Sequence, residues 1–236
     1  MGQLITVGIT GQCGFMGTHL YNFLGTKSEK INRLNFQDNY FDNEVDLQNF
    51  VKSCDVIVHL AAMNRHEDEQ VIYNTNIDLV KKLINACEVT NSTPKIIFSS
   101  STQEEKDNLY GKSKRDGRKY FEAWAIKNSC KVLSLIIPNV FGPFGNPFYN
   151  SFIATFSHQI IKGEQPTVIN DSTVKLIYIN ELSQVFYDKI LLEDNEDIDS
   201  YLVPHTSSHK VSEILDLLKE FKIQYLENGQ VPKVDL

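Results

Sequence analysis

GITGQCGFMGTHL, residues 8–20, completes an apolar run that begins at Leu4 and leads directly into a segment of helical spacing. Gly11, Gly14 and Gly17 fall at the T-G-x-x-G-x-x-G spacing. In a strand–turn–helix context the first glycine permits the tight turn. The second lets backbone approach a pyrophosphate, and the third lets helix and strand pack closely. The helix that follows offers unpaired N–H groups and a partial positive charge to phosphates. The segment predicts a dinucleotide site at the end of the first strand of a layered α/β fold.

Working outward, short apolar runs alternate with segments of helical period. KINRLNF, DVIVHLA, PKIIFSS and CKVLSLII read as strands, and 15–25, 46–53, 69–91 and a stretch from Leu109 read as helices. Near-continuous Val/Ile/Leu strands between helices predict a parallel sheet covered on both faces, hence a doubly wound α/β fold. After PNVFGPFGNP the pattern changes to a helix at 150–163, strands at 166–169 and 174–179, and helices at 180–192 and 211–221. The expected division is a Rossmann domain over 1–142, to which 174–192 returns, and a small C-terminal substrate lobe from 143–173 and 193–236. Residues 226–236 lose hydrophobic periodicity and read as a linker to a domain outside this chain.

With 236 residues, 42% hydrophobic and 22% charged, the chain has an ordinary globular composition. A net charge of −7 argues against nucleic-acid partners, which need a basic face. The local basic run GKSKRDGRK, 111–119, reads as a solvated helix face, with a phosphate-facing role as the alternative. No apolar run reaches the ~20 residues that span a bilayer, and the expected location is cytoplasmic. Gly2 and Thr6 fit a myristoylation pattern, but the segment reads as a buried strand. Cys13, Cys54, Cys87 and Cys130 are too dispersed for a zinc site or a disulfide framework, and no metal is expected.

Tyr110 and Lys114 stand one helical turn apart, just after the hydroxyl run Ser99–Thr102. With Gly117, Phe121 and Trp124 they share one helix face, and the two aromatics mark that face as inward. A phenol with a pKa near ~10 exchanges protons poorly at neutral pH, and a nearby ammonium lowers that value. A hydroxyl at the preceding strand end can hold the oxygen that receives the proton.

At these residues the sequence resembles the extended short-chain dehydrogenases/reductases that act on nucleotide sugars. TGQCGFMG, Asp46–Leu47, HLAA (59–62), Asn76, SSS (99–101), YGKSK and PNVFGP occur in the family's order. The resemblance implies Tyr110 as general acid/base, Lys114 as ribose ligand and tuner of the phenol, and Ser101 as catalytic hydroxyl. It places the cofactor against Gly11, Gly14, Phe15, Met16, Gly17, Asp46, Leu47, Leu60, Ala61, Ala62, Asn76, Tyr110, Lys114 and Pro138. Arg65, Ser101, Asn139 and Asn150 are the expected substrate contacts. Asp38 lies late for a ribose acid while Arg33 and Lys27 could meet a 2′-phosphate, so NADP(H) is favoured over NAD(H).

Ser101 is followed by Thr102 and Gln103, not by the acid of a dehydratase. The motif set is most similar to reductases that precede a zinc-dependent cupin epimerase domain in UDP-N-acetyl-L-fucosamine synthesis. The expected reaction is NADPH-dependent reduction of the 4-keto group of a UDP-2-acetamido-2,6-dideoxy-hexos-4-ulose, without epimerisation at carbon 3. A 4-epimerase that retains NAD, and a non-catalytic NAD(P) sensor, are the alternatives. The implied partners are the UDP-sugar, a second copy in a homodimer, and a cupin epimerase, fused or separate.

Overall fold

The computed structural model describes residues 4–192 and 197–231. Gly2, the candidate acylation site, and the end of the expected linker, 232–236, lie outside the described residues. Two compact units divide the chain: 1–138 with 179–204, and 139–178 with 205–236.

The first unit is built on β1 (Ile5–Thr10), β2 (Ile31–Leu34), β3 (Val56–His59), β4 (Lys95–Ser101), β5 (Val132–Ile137) and β8 (Ile198–Leu202). Among the described residues these form one sheet in the order β2-β1-β3-β4-β5-β8, with every pairing parallel. Helices α1 (Phe15–Gly25) and α6 (Ile179–Leu191) pack together. Helices α2 (Glu44–Ser53), α3 (Glu69–Thr90) and α4 (Leu109–Asn128) pack in series. Phe36, Phe50, Ile57, Leu83, Ile96, Phe98, Phe121 and Trp124 belong to one apolar cluster joining strands to these three helices.

The order reverses between β1 and β3, because the chain goes out to β2 and returns on the other side of β1. Open α/β sheets bind ligands at the carboxyl ends of the strands beside such a reversal. The glycine turn follows β1 at that place. Gly11 adopts φ +69°, and a Cβ there would meet Ala61 N at 2.8 Å. A Cβ on Gly17 would run into Gly11 O and lie 2.8 Å from Gln12 Cα.

The second unit holds β6 (Asn139–Phe141), β7 (Thr173–Tyr178) and β9 (Ser207–Lys210) in one small sheet, parallel between β6 and β7 and antiparallel between β7 and β9. Helices α5 (Phe152–Ile161) and α7 (Val211–Phe221) bury Phe156, Ile160 and Leu215 between them. Residues 222–227 continue α7 as a π-type turn, in the region expected to begin a linker.

Three expectations change. Residues 198–202, assigned from sequence to the lobe, are the outer strand of the main sheet and pair with β5. The segment returning to the first unit is 179–204, so β7 belongs to the second unit. Residues 166–169 form no strand: Ile169 is exposed, and Val168 packs against the α5–α7 cluster. No helix among the described residues is long and apolar enough to cross a membrane.

Gly17→Ala should cost about 1–3 kcal/mol, the scale of forcing an extra carbon into packed backbone. Chemical denaturation of the two proteins tests this; an unchanged midpoint would mean that the turn can open.

Candidate active site

The glycine turn is held by Gly14 N–H to Gly11 O (3.0 Å) and by Thr18 N–H to Gly14 O (2.9 Å). Helix α1 follows Gly14, which caps it without a side chain, and has no acid in its first turn. Its first N–H groups and its dipole therefore face outward without a competing carboxylate. The backbone of Leu60 and Ala61 lies beside the turn: Leu60 N–H donates to Thr10 O (3.2 Å) and Ala61 N–H to Thr10 Oγ1 (3.4 Å). Gly11 and Gly17 leave no room for a Cβ, and the turn they make fits the cradle of a dinucleotide pyrophosphate.

Ser101 ends β4, half-buried, and its oxygen accepts from Gln103 N–H (3.2 Å), which leaves the hydroxyl proton unused in that bond. Helix α4 opens at Leu109 because Asn108 Oδ1 accepts from Gly111 N–H (2.7 Å). Its first turn brings Tyr110, half-buried, and then Lys114, buried, onto the inward face. Lys114 Nζ donates to Ser99 O (2.9 Å), lies 5.2 Å from the Phe98 ring centre and 5.8 Å from that of Tyr110.

Burial lowers the Lys114 pKa from 10.5 to about 8, against an opposing pull from Glu104. The ammonium thus stays charged at neutral pH, 5.8 Å from the centre of the Tyr110 ring. His59 lies beneath it, buried, with Nδ1 2.8 Å from Thr10 Oγ1 and its ring against Phe98, Phe121 and Phe41. Burial and then Lys114 push His59 down to about 3, so it stays neutral.

Two residues that sequence reasoning passed over hold this arrangement. Glu104 lies buried in the 3₁₀ turn after Ser101 and accepts from Ser100 Oγ. Arg118 Nε reaches both carboxylate oxygens (3.1 and 3.2 Å) and Nη2 reaches Oε2 (2.8 Å). Arg115 Nη1 donates to Glu104 O (3.0 Å), and Gly111 abuts Gln103 O so closely that no Cβ fits. The turn carrying Ser101 is thereby clamped to the helix carrying Tyr110. Only their wide separation along the chain hides this pair, since neither periodicity nor spacing links 104 to 118.

Other expected residues are placed as follows. Asn76 spends its amide on protein: Oδ1 accepts from Met63 N–H (2.7 Å), and Nδ2 donates to Met63 O (3.1 Å) and Ser113 Oγ (2.9 Å). It shapes the 60–63 segment instead of offering a free group. The Asp46 carboxylate accepts from Asn43 Nδ2 (2.7 Å), and Leu47 is in the core. Phe15 and Met16 are half-buried in the first turn of α1, and Pro138 is buried after β5. Arg65 is exposed between β3 and α3.

Asn139 and Asn150 belong to the second unit, both exposed, and Asn139 Nδ2 donates to Lys175 O (3.3 Å). The Arg33 guanidinium does not reach toward the glycine turn. It donates to Tyr21 O (2.7 Å), covers the Tyr21 ring at 4.2 Å and packs on Gly25, at the far end of α1. Lys27 sits there too, 5.3 Å from the ring centres of Phe23 and Tyr187.

A parallel sheet with a glycine turn beside its reversal, Ser101 at the end of β4, and Tyr110 and Lys114 on the helix that follows define a short-chain dinucleotide-binding fold. The chain belongs to the NAD dependent epimerase/dehydratase family, which residues 7–197 match. It is 31% identical over 216 residues to a UDP-2-acetamido-2,6-beta-L-arabino-hexul-4-ose reductase of Pseudomonas aeruginosa, covering 91% of this chain and 57% of that protein. Capsular polysaccharide assembling protein CapF of Staphylococcus aureus superposes with a TM-score of 0.77 at 26% identity, covering 98% of this chain and 61% of that one. UDP-glucuronic acid 4-epimerase of Bacillus cereus, solved with UDP-glucuronic acid and NAD, shares the fold: TM-score 0.80, 17% identity, 92% of this chain and 83% of that one. The chain thus spans less than two thirds of the reductase and of CapF.

Arg118→Met should destabilise by about 1–3 kcal/mol, because a buried carboxylate loses its fork of donors. Adding Glu104→Gln should recover part of that loss; additive losses in a double-mutant cycle would remove the clamp. For Lys114 the unfolded chain holds its proton up to 10.5 and the folded chain only to about 8. The site's contribution to stability therefore rises with pH across that window. Lys114→Met should be more stable than wild type at neutral pH, with the gap narrowing toward pH 10.5. Urea midpoints measured across that range check the sign.

Proposed function

We propose that this chain catalyses reduction of the 4-keto group of a UDP-2-acetamido-2,6-dideoxy-hexos-4-ulose, using NADP(H) in preference to NAD(H). The observation that carries the reading is the buried Lys114 ammonium, bonded to Ser99 O of the strand that Ser101 ends and 5.8 Å from the centre of the Tyr110 ring. A nicotinamide dinucleotide, when bound, supplies the hydride. Gly11, Gly14 and Gly17 hold its pyrophosphate, and Leu60, Ala61 and Ala62 line the phosphate–ribose run. Lys114 takes the nicotinamide ribose, and Pro138 borders the nicotinamide.

Ser101 donates a hydrogen bond, keeping its proton, to the carbonyl oxygen at carbon 4, which fixes the oxygen and draws charge toward it. Tyr110 gives its phenolic proton to that oxygen as carbon 4 is reduced, leaving the alcohol and a phenolate. Lys114 stabilises the phenolate until solvent returns the proton. Arg65, Asn139 and Asn150 are assigned to the sugar and nucleotide. The reductase of Pseudomonas aeruginosa supports the substrate class. The reading extends to a cytoplasmic protein that works as a homodimer beside a cupin epimerase.

A 4-epimerase is the second reading, favoured by the epimerases that share the fold. It predicts NAD that stays with the protein through purification and keto-sugar intermediates that are returned, not consumed. A non-catalytic sensor would need no intact Ser101, Tyr110 and Lys114.

Incubation with the 4-keto sugar should consume NADPH and give the 4-hydroxy sugar in equal amounts. Tyr110→Phe should lower that turnover by ~10²-fold or more with dinucleotide affinity nearly unchanged, the scale of a lost general acid. Wild-type turnover in that variant would remove Tyr110 from the chemistry. Interconversion of 4-epimers with no net loss of NADPH would establish the second reading.

A further inference from the structure

The side chain of Gln12 leaves the glycine turn and crosses to the carboxyl end of β2. There Phe36 N–H donates to Gln12 Oε1 (3.0 Å), and Gln12 Nε2 donates to Asn35 Oδ1 (2.9 Å). A backbone N–H can only donate, so it fixes which end of the Gln12 amide faces Phe36. The NH₂ end of Gln12 must then meet an acceptor, and that fixes the Asn35 carboxamide with its oxygen toward Gln12. Asn35 is exposed, and its own NH₂ is turned away from Gln12 toward solvent. The two amides form a one-way relay that begins at a backbone donor and ends in donors at the strand end.

We propose that Asn35, oriented by Gln12, is a specificity-determining residue of the dinucleotide site and selects a 2′-phosphate on the adenosine ribose. The proposal rests on the cofactor reading given above. In folds of this kind the adenosine ribose lies at the end of the second strand. A ribose diol has hydroxyl protons to give and is suited to an acceptor such as a carboxylate. A phosphate monoester has only acceptors to offer and is suited to N–H donors. Here the first residue after β2 is Asn35, whose free amide end is an N–H donor, and not an acid.

The cations that the sequence offered for this task are engaged elsewhere, Arg33 on Tyr21 and Lys27 between Phe23 and Tyr187. Asp38, the nearest acid along the chain, opens the 3₁₀ turn after β2 and takes no part in the Gln12–Asn35 bonds. Asn35 is the residue that meets the phosphate, and Gln12 is a positioning residue that keeps the Asn35 amide from turning over. That division makes the two separable by mutation.

Equilibrium titration of the purified chain with NADPH and with NADH, followed by fluorescence and without sugar substrate, tests this apart from turnover. Wild type should bind NADPH more tightly. Asn35→Asp should weaken NADPH by about tenfold or more, the scale of a lost bond to a charged group, and should strengthen NADH. Gln12→Met keeps the length but frees the Asn35 amide to turn, and should narrow the preference without inverting it. Thermal melting of each variant verifies the fold. A ratio of affinities unchanged in Asn35→Asp, or one that moves only in Asp38→Asn, would overturn the assignment while leaving the cofactor site intact. Failure of wild type to bind either dinucleotide would overturn the site reading itself, and this inference with it.

Discussion

An ammonium group taken out of water needs compensation, and Lys114 receives it from one carbonyl, Ser99 O, at 2.9 Å. That contact is the end of a chain of bonds that crosses the sheet. Ser99 Oγ donates to His59 O (3.0 Å), the His59 ring meets Thr10 Oγ1, and Thr10 receives the N–H groups of Leu60 and Ala61. Strand ends of β1, β3 and β4 and the first turns of α4 are thereby fixed relative to one another. The glycine cradle and the Tyr110–Lys114 face are therefore held at opposite ends of one polar network. Because the imidazole is held neutral by burial and by Lys114, it bonds to Thr10 without adding a second charge beside the ammonium.

Two kinds of constraint cooperate around that network. Absence of side chains at Gly11, Gly17 and Gly111 lets backbone approach backbone where a single carbon would intrude. Guanidinium groups do the opposite work on the next turn, where Arg118 pairs with the Glu104 carboxylate and Arg115 donates to the Glu104 carbonyl, drawing that segment onto α4. The turn that carries Ser101 is thus held by a clamp of charged groups three residues further on. The acid that this clamp uses is three residues beyond Ser101, already occupied by guanidinium and hydroxyl.

The parts legible in sequence are those whose signal is local. Glycine spacing after an apolar strand and a helix face carrying Tyr110, Lys114, Phe121 and Trp124 need no knowledge of distant partners. Strands β8 and β9 were missed because IDSYL and SSHK alternate polar residues with few apolar ones, as edge strands do. PTVI at 166–169 has β-propensity but no partner ladder, and propensity alone does not make a strand. The direction in which Arg33 turns is equally invisible: a long side chain follows the nearest π face and carbonyl, here those of Tyr21. Gln12 and Asn35 meet across 23 positions, a distance at which only the close packing of α1 on the strands could bring them together.

The outermost strand of the main sheet, β8, pairs with β5 although everything from Pro138 to Asp197 intervenes in the chain. During synthesis β5, an apolar strand of Val, Leu and Ile, emerges long before its outer neighbour exists. Its unpaired edge is a template for any other extended chain until Ile198–Leu202 arrives. Closing that register carries the entropy of a long loop, unless the intervening β6, α5 and β7 have already drawn together around their own small sheet. The edge of the main sheet is therefore sealed only after a stretch of chain that belongs to the other unit has been made.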